Sequence, residues 1–171
     1  MFNFFRMILE KAKGAIAEVS VYKGESALLL AKAFPDRIIY LFDTFSGMPE
    51  SDPSIDYHKK GDFADTSLSA VMTKLKDFKN VIYYPGIFPE SAKTVENIKF
   101  AFVNVDVDIY KSTKDCLEFF YPRLAEGGGI FIQDDYNFPN CKGATKAVDE
   151  FLQSQNLKLR KIKNSVWIGK E

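Results

Sequence analysis

Seven short runs of apolar or β-branched residues recur along the chain, and helical segments separate the first five. The runs are 17–22, 37–43, 80–86, 100–108, 128–135, 157–163 and 165–170, and the helical segments are 25–34, 67–78, 90–97 and 113–124. Apolar strands that alternate with helices are typical of a parallel sheet covered on both faces. The last two runs meet around Asn164 and predict an antiparallel hairpin. We therefore expect an α/β fold with a seven-stranded, mostly parallel sheet and a C-terminal antiparallel hairpin.

Composition limits the domain count and the classes of partner. The 171 residues suit one domain, and 23 Lys and Arg residues balance 23 Asp and Glu residues, which argues against nucleic-acid and membrane partners. Cys116 and Cys141 form neither a CxxC pair nor a disulfide framework, which favours a reducing, cytoplasmic setting. The oligomeric state stays open, with a homodimer as one alternative.

The first residues predict a short amphipathic helix from Phe2 to Lys13. Charged residues interrupt this segment, it is too short to span a bilayer, and it lacks a small-residue cleavage site. We expect it to pack against the core. The alternative is that residues 1–16 are the remnant of a larger lid or form an oligomer contact.

Local signals predict the ends of the helix over 113–124 and the character of the longest loop. Ser112 with Asp115 three residues later forms a capping box, and Gly127 to Gly129 are expected to end the helix. The stretch 46–66 is irregular and long enough to be either a functional lid or disordered. We expect its His58, the chain's single histidine, to be a solvated surface side chain rather than a general base.

The predicted strand ends carry turn glycines and carboxylates. Ligands of open α/β sheets bind beyond the carboxyl ends of the strands, where the strand order reverses. In chain order these ends are followed or occupied by Gly24, Asp43, Gly86, the pair Asp106 and Asp108, and the pair Asp134 and Asp135. Asp43 suits either a cap for the next turn or a carboxylate that bonds a ribose diol.

The two acid pairs predict a cation site. Asp106 and Asp108 point to the same side if the strand continues through both, and Asp134 and Asp135 lie beside them if strands four and five are neighbours. Such carboxylates repel unless a cation lies between them or some stay protonated. Oxygen ligands favour Mg²⁺, with Ca²⁺ or Mn²⁺ as alternatives, and no His or Cys cluster in the sequence supports zinc. The structural alternatives are helix caps for the first pair and turn residues for the second.

Several motifs together resemble one family. They are VYKGESALLLA (21–31), FDTFSGMPE (42–50), GDFADTSLSAV (61–71), YPGIFPES (84–91), VDVDIYKSTKDCLEFFYPRLAEGGGIFIQDDY (105–136) and GATKAVDEF (143–151). In this order they resemble the macrocin O-methyltransferase family, Mg²⁺-dependent S-adenosylmethionine enzymes that methylate sugar hydroxyls of macrolide and aminocoumarin antibiotics. The resemblance covers residues 17–152 and implies a Rossmann-like class I methyltransferase fold and a role in secondary metabolite biosynthesis.

The resemblance also implies roles for individual residues. Asp106 would be both a metal ligand and the catalytic group nearest the acceptor hydroxyl, and Asp134 and Asp135 would complete the protein's metal ligands. The cofactor S-adenosylmethionine would contact Glu18, Ser20, Tyr22, Lys23, Gly24 and Ser26 at its methionine end, Asp43, Thr44 and Phe45 at its adenosine, and Asp62, Phe63, Gly86 and Phe88 around its adenine. The acceptor would be a sugar or another small diol, whose hydroxyl the metal orients and acidifies.

The sequence departs from the family pattern at several places, and two rival functions remain. Glycine is usual where Ser20 stands and frequent where Glu25 stands, which predicts weaker cofactor binding. The glycines 127–129 are one residue longer than the usual connection, and fewer residues precede the first strand. One rival is a haloacid-dehalogenase-like phosphatase, although its Asp-x-Asp normally ends the first strand. The other is a catalytically inactive module that binds S-adenosylmethionine.

Overall fold

The computed structural model describes residues 10–133, 135–162 and 165–170 of the chain. The strands are β1 (Ala15–Val19), β2 (Ile39–Asp43), β3 (Val81–Pro85), β4 (Phe100–Val105), β5 (Leu124–Ile132), β6 (Arg160–Ile162) and β7 (Ser165–Gly169). The α-helices are α1 (Glu25–Ala33), α2 (Leu68–Lys74), α3 (Tyr110–Phe120) and α4 (Lys142–Gln155). Residues Glu90–Val95 and Tyr121–Arg123 form 3-10 helices.

Among the described residues, seven strands form one sheet in the order β3-β2-β1-β4-β5-β7-β6. The strands β1 to β5 run parallel to one another, whereas β7 runs antiparallel to both of its neighbours, β5 and β6. This arrangement confirms the predicted fold class, including the C-terminal antiparallel strands. The strand order reverses between β1 and β4, so a ligand site is expected at their carboxyl ends.

The central strand β4 is buried along its whole length, which explains the apolar run that precedes Asp106. One hydrophobic cluster packs Phe100 and Val103 of β4 against α3 and α4. A second cluster packs Phe102 of β4 against α1 and α2 on the opposite face. Burial on both faces accounts for a strand without polar alternation.

The glycines at 127–129 lie inside β5, so the prediction that they end a helix is wrong. A side-chain carbon on Gly129 would lie 2.4 Å from the Trp167 ring, and one on Gly128 would lie 2.8 Å from the Ala101 carbonyl oxygen. Close packing of neighbouring strands therefore requires glycine here. The helix α3 ends earlier, at Phe120.

The capping box predicted at Ser112 and Asp115 is also wrong, because α3 begins at Tyr110 and no side chain at its N-cap residue, Ile109, makes a capping bond. Instead, Asp56 from the loop after β2 accepts a hydrogen bond from the Tyr110 N–H at 2.8 Å. The other Asp56 oxygen accepts from the Asp52 N–H at 3.1 Å. Because Asp56 lies 54 residues before Tyr110, the sequence around the helix start gives no indication that it caps α3.

This contact fixes the loop 46–66 against the body of the protein. Asp56 is buried, and a side-chain carbon on Gly143 would lie 1.9 Å from its Oδ1 atom. The Met48 N–H and the Gly61 N–H bond to the carbonyls of Asp62 and Met48, which closes the loop on itself. In the structure the loop is therefore a folded segment that packs against the N-terminus of α3.

Two predicted elements fall wholly or partly outside the described residues. Of the helix expected over Phe2 to Lys13, only Glu10 onward is described; Glu10 and Lys11 are helical and Ala12 is buried. The expected hairpin turn at Asn164 also lies outside the described residues. None of the described helices has the length and apolar character that crossing a membrane requires.

The Asp56 contact generates a prediction about stability. Asp56→Ala removes a buried carboxylate that bonds two backbone N–H groups, and the free energy of unfolding should fall by about 2 kcal/mol. At this chain length the melting temperature should fall by about 4–8 °C. Glu50→Ala in the same loop breaks an exposed ion pair with Lys60 and should change the melting temperature much less. Equal shifts for the two variants would contradict the capping role.

Candidate active site

A cavity opens at the carboxyl ends of β1, β2 and β3, beside the point where the strand order reverses. It is lined by Val19, Ser20, Tyr22, Phe42, Asp43, Thr44, Gly47, Met48, Pro49, Phe63, Thr66, Gly86, Ile87, Phe88, Val107 and Ser112. Seven of these residues were predicted to contact a cofactor: Ser20, Tyr22, Asp43, Thr44, Phe63, Gly86 and Phe88. The loop 46–66 supplies several of the others, which lie within the quoted motifs but were not among the predicted cofactor contacts.

The turn after β1 directs backbone toward this cavity through left-handed residues. Ser20 has φ 71°, Tyr22 has φ 50° and Gly24 has φ 77°. Ser20 stands where the family usually has glycine, and it adopts the left-handed conformation that glycine favours. The Ser20 N–H bonds to the Phe42 carbonyl at 2.9 Å, which ties the turn to β2.

Asp43 at the end of β2 is fixed by two backbone donors. Its Oδ2 accepts from the Tyr22 N–H at 2.8 Å, and its Oδ1 accepts from the Phe45 N–H at 2.6 Å. The carboxylate thus caps the next turn, as one of the two interpretations expected, and also lines the cavity. Each oxygen can accept more than one hydrogen bond, so these contacts leave acceptor capacity for a ligand.

Glu18 is fully buried in β1 beside the cavity rather than in its lining. Its Oε1 accepts from the Ser26 hydroxyl and from the Asn104 Nδ2 at 3.2 Å. Its Oε2 has no hydrogen-bond partner among the described residues. Burial raises the pKa of Glu18 to about 7, and the Ser26 and Asn104 hydrogen bonds oppose that rise.

The remaining predicted cofactor residues occupy less direct positions. Lys23 pairs with the exposed Asp65 at 2.5 Å, and Gly24 and Ser26 form the start of α1. The Phe45 side chain is buried in the hydrophobic cluster beside α1. Asp62 accepts from the Lys59 N–H at 3.1 Å. None of these five residues is part of the cavity lining given above.

Three carboxylates converge beside the cavity, at the ends of β4 and β5. Asp106, Asp108 and Asp135 each place an oxygen within 4.8 Å of the other two. The strand β4 ends at Val105, so it does not continue through Asp106 and Asp108, and alternation along a strand does not place them on the same side. Instead, the turn after β4, in which Asp108 has a left-handed φ of 61°, brings the acids together. The predicted ligand Asp134 lies outside the described residues.

Asp135 organises this cluster. The residue is 2% exposed, and its Oδ2 accepts from the N–H groups of Val107 and Asp108, both at 3.1 Å. Burial and the charges of Asp106 and Asp108 raise the pKa of Asp135 well above its usual value. Burial also raises the pKa of Asp108. A cation between these oxygens would remove the repulsion that favours their protonated forms.

Two residues that sequence reasoning set aside lie next to this cluster. The His58 side chain is 16% exposed, with its Nε2 4.0 Å from Asp108 Oδ1 and its Nδ1 3.4 Å from Asp62 Oδ2. The expectation of a solvated surface histidine is therefore wrong. The Cys141 Sγ donates to Asp108 Oδ1 at 3.4 Å, so the structure brings together a His and a Cys that are 83 positions apart in sequence.

Comparison with known families decides the relationship. The profile described as Macrocin-O-methyltransferase (TylF) matches residues 4–168. The chain belongs to the macrocin O-methyltransferase family. This confirms the resemblance that the sequence motifs indicated.

Curated members of the macrocin O-methyltransferase family are longer than this chain. The chain is 30% identical over 149 residues to mycinamicin III 3''-O-methyltransferase of Micromonospora griseorubida, covering 77% of this chain and 58% of that protein. It is 27% identical over 154 residues to demethyldecarbamoylnovobiocin O-methyltransferase of Streptomyces niveus, covering 81% of this chain and 58% of that protein. The chain thus spans less than two thirds of the length of these relatives.

A solved structure supports the fold assignment for this macrocin O-methyltransferase family member. The O-methyltransferase NovP superposes with a TM-score of 0.82 at 24% identity, covering 99% of this chain and 78% of that chain. At this identity the superposition establishes the class I methyltransferase fold.

Glu18 generates a prediction about pH. Its carboxyl binds a proton more tightly in the folded state, with a pKa of about 7, than in the unfolded chain, where the ordinary value is 4.5. The folded state therefore holds more protons between these values, and this group costs stability progressively as pH rises through that window. The full cost is about 3 kcal/mol.

Urea unfolding of the ligand-free protein at about pH 5 and about pH 8 should reveal this cost by comparison with Glu18→Gln. The variant replaces the titrating group by a neutral group of the same shape. Its stability relative to the parent should increase between the two pH values. A difference that stays constant with pH would contradict a raised Glu18 pKa.

Proposed function

We propose that this chain is an S-adenosylmethionine-dependent, Mg²⁺-assisted O-methyltransferase that acts on a hydroxyl of a sugar or another diol-containing small molecule. The observation that carries the proposal is the position of the acid cluster beside the cavity. Asp106, Asp108 and Asp135 converge at the ends of β4 and β5, and Val107 between two of these acids lines the cavity. We propose one methyltransferase domain for residues 1–171.

The cavity suits a nucleoside cofactor at several points. Asp43 is held at the rim with acceptor capacity for the two hydroxyls of a ribose. Thr44 lies beside it, and Phe63, Gly86 and Phe88 form an apolar border suited to an adenine ring. The unpartnered Oε2 of the buried Glu18 is an acceptor that suits the ammonium group of the methionine end.

The acid cluster suits a hard divalent cation. Asp106, Asp108 and Asp135 offer carboxylate oxygens, which Mg²⁺ prefers, and Asp134 would add a further oxygen. When bound, the ion would acidify and orient the acceptor hydroxyl. In the proposed reaction the Asp106 carboxylate accepts the proton of that hydroxyl while the turns after β1 and β2 hold the methyl donor.

The names of the relatives guide the substrate class. One relative is named for methylation of mycinamicin III and another for methylation of demethyldecarbamoylnovobiocin. On this basis we propose an acceptor sugar from secondary metabolite biosynthesis. A cytoplasmic location is proposed as well, because both cysteines are unpaired and buried.

The alternative function is a module that binds S-adenosylmethionine without turnover. Three converging acids favour the enzyme, because bringing two partly exposed carboxylates against the buried Asp135 costs stability without serving a binding module. The phosphatase alternative loses its support, since the Asp-x-Asp follows the fourth strand of the chain rather than the first.

Cofactor binding can be tested at Asp43. Calorimetry should show that S-adenosylmethionine binds the parent protein, and that Asp43→Asn weakens the affinity by about 10- to 100-fold, as expected for loss of a charged hydrogen-bond acceptor. The matched control is Asp77→Asn, an exposed acid that does not line the cavity. Absence of binding by the parent protein would remove the proposed function.

The metal role can be tested at Asp106. Asp106→Asn should retain S-adenosylmethionine affinity but lose methyl transfer to diol glycosides in the presence of Mg²⁺ by about 100-fold or more, since the metal stabilises the reaction by several kcal/mol. Product methylation measured by mass spectrometry gives the rate. Full activity in this variant would overturn the metal assignment, whereas cofactor binding without turnover in the parent would favour the binding module.

A further inference from the structure

Three side chains of different chemistry converge beside the acid cluster. His58, Asp108 and Cys141 each offer a ligand atom within 4.8 Å of the other two. They come from separate segments, namely the loop after β2, the turn after β4 and the residue before α4. A nitrogen, an oxygen and a sulfur ligand form the donor set of a borderline-soft metal ion, unlike the oxygen set of the neighbouring carboxylates.

We propose that His58, Asp108 and Cys141 form a second metal site, which binds Zn²⁺ or a similar transition-metal ion. Tetrahedral zinc bonds of about 2.0–2.3 Å place pairs of ligand atoms about 3.3–3.6 Å apart. The Cys141 Sγ and Asp108 Oδ1 are already 3.4 Å apart. The His58 Nε2 lies 4.0 Å from the same oxygen, and all three ligand atoms lie within 4.8 Å of one another, so the histidine must move closer to the other two ligands when the ion binds.

The partner of the second His58 nitrogen supports this site independently. While Nε2 faces Asp108, Nδ1 lies 3.4 Å from Asp62 Oδ2. Histidines that bind metals almost always donate their other ring N–H to a carboxylate, a carbonyl or water, which fixes the tautomer and the ring orientation. The structure thus contains the orienting carboxylate as well as the three ligands.

Burial and the charges of Asp135 and Asp108 raise the pKa of the Cys141 thiol, so its thiolate requires a bound cation. Cys141 is the residue before the first turn of the 14-residue helix α4, where the helix dipole favours a negative charge. On binding, the Sγ–H bond breaks, the proton passes to the solvent and the sulfur coordinates the ion. Three protein ligands leave the fourth tetrahedral position open for water.

The two metal sites share Asp108. In the acid cluster Asp108 belongs with Asp106 and Asp135, and in the second site it belongs with His58 and Cys141. A transition-metal ion therefore draws Asp108 away from the oxygen-only site. Zinc binding at the second site can be measured without cofactor or acceptor, so it stands or falls separately from methyl transfer.

Cobalt titration of the reduced protein tests the proposal, because Co²⁺ occupies zinc sites and its bond to a thiolate gives an intense near-ultraviolet absorption. The parent protein should develop this absorption, and Zn²⁺ should displace it. Cys116→Ala is the matched control, since Cys116 is the other free cysteine and lies in the core. It should retain the absorption, whereas Cys141→Ala should lose it.

Two further variants separate this site from its surroundings. Asp106→Asn removes a carboxylate of the acid cluster that is not a ligand of the second site, so the cobalt absorption should persist in this variant. Asp62→Asn should weaken cobalt affinity by about 10- to 100-fold, as expected for loss of the carboxylate that orients a ligand histidine.

Several outcomes would overturn the site. These are a parent protein without the absorption, an absorption that persists in Cys141→Ala, or one that disappears in Asp106→Asn. Circular dichroism confirms that each variant is folded. If Cys141→Ala does not fold, the cobalt titration of His58→Gln tests the site instead. A His58→Gln variant that binds cobalt as tightly as the parent would refute the proposal.

Discussion

The buried carboxylate of Asp135 holds together the region where β4 and β5 end. One of its oxygens accepts the N–H groups of Val107 and Asp108, and this pair of bonds fixes the turn that leaves β4. Within this turn Asp108 adopts a left-handed conformation, and the helix α3 begins two residues later. A buried carboxylate is costly unless it is bonded, protonated or paired with a cation. The acid cluster, the start of α3 and the part of the cavity wall at Val107 all depend on the hydrogen bonds, protonation or cation that stabilise this buried carboxylate.

Asp108 occupies the centre of the site because it faces two different sets of ligand atoms. On one side are the carboxylates of Asp106 and Asp135, and on the other are the imidazole of His58 and the thiol of Cys141. The first set offers oxygen alone, whereas the second adds nitrogen and sulfur. These donor sets select different ions, so the identity of a bound metal would decide which neighbours Asp108 joins.

The loop 46–66 connects this site to the cavity that we propose for the cofactor. Asp56 anchors the loop at the N-terminus of α3, and Gly143 of α4 leaves the space that the anchor needs. The loop then supplies His58 to the acid cluster and Phe63 to the cavity, where the Phe63 ring meets the Tyr22 ring edge-on at 5.8 Å. One anchored segment therefore couples the position of the proposed metal ligand His58 to the shape of the cavity.

The amino-acid sequence by itself determined the architecture. The spacing of apolar residues is a local property of the sequence, so the apolar runs predicted the parallel strands and the C-terminal antiparallel strands. The ordered motifs predicted the family that the comparison confirmed. The prediction that Gly127 to Gly129 end a helix was wrong, because glycine serves helix ends and close strand packing alike. The capping box predicted at Ser112 and Asp115 was wrong, because the carboxylate that bonds the start of α3 comes from the distant Asp56. Trp167, which requires Gly129, lies 38 positions away and leaves no local trace.

Tertiary structure alone decided the details of the site. The sequence predicted that Asp106 and Asp135 would meet, because parallel neighbouring strands end at the same edge of a sheet. It could not predict that Asp56 caps α3 or that His58 and Cys141 flank Asp108. These contacts depend on the path of a long loop, and such a path is set by a few distant hydrogen bonds and by the space beside one glycine rather than by any residue pattern.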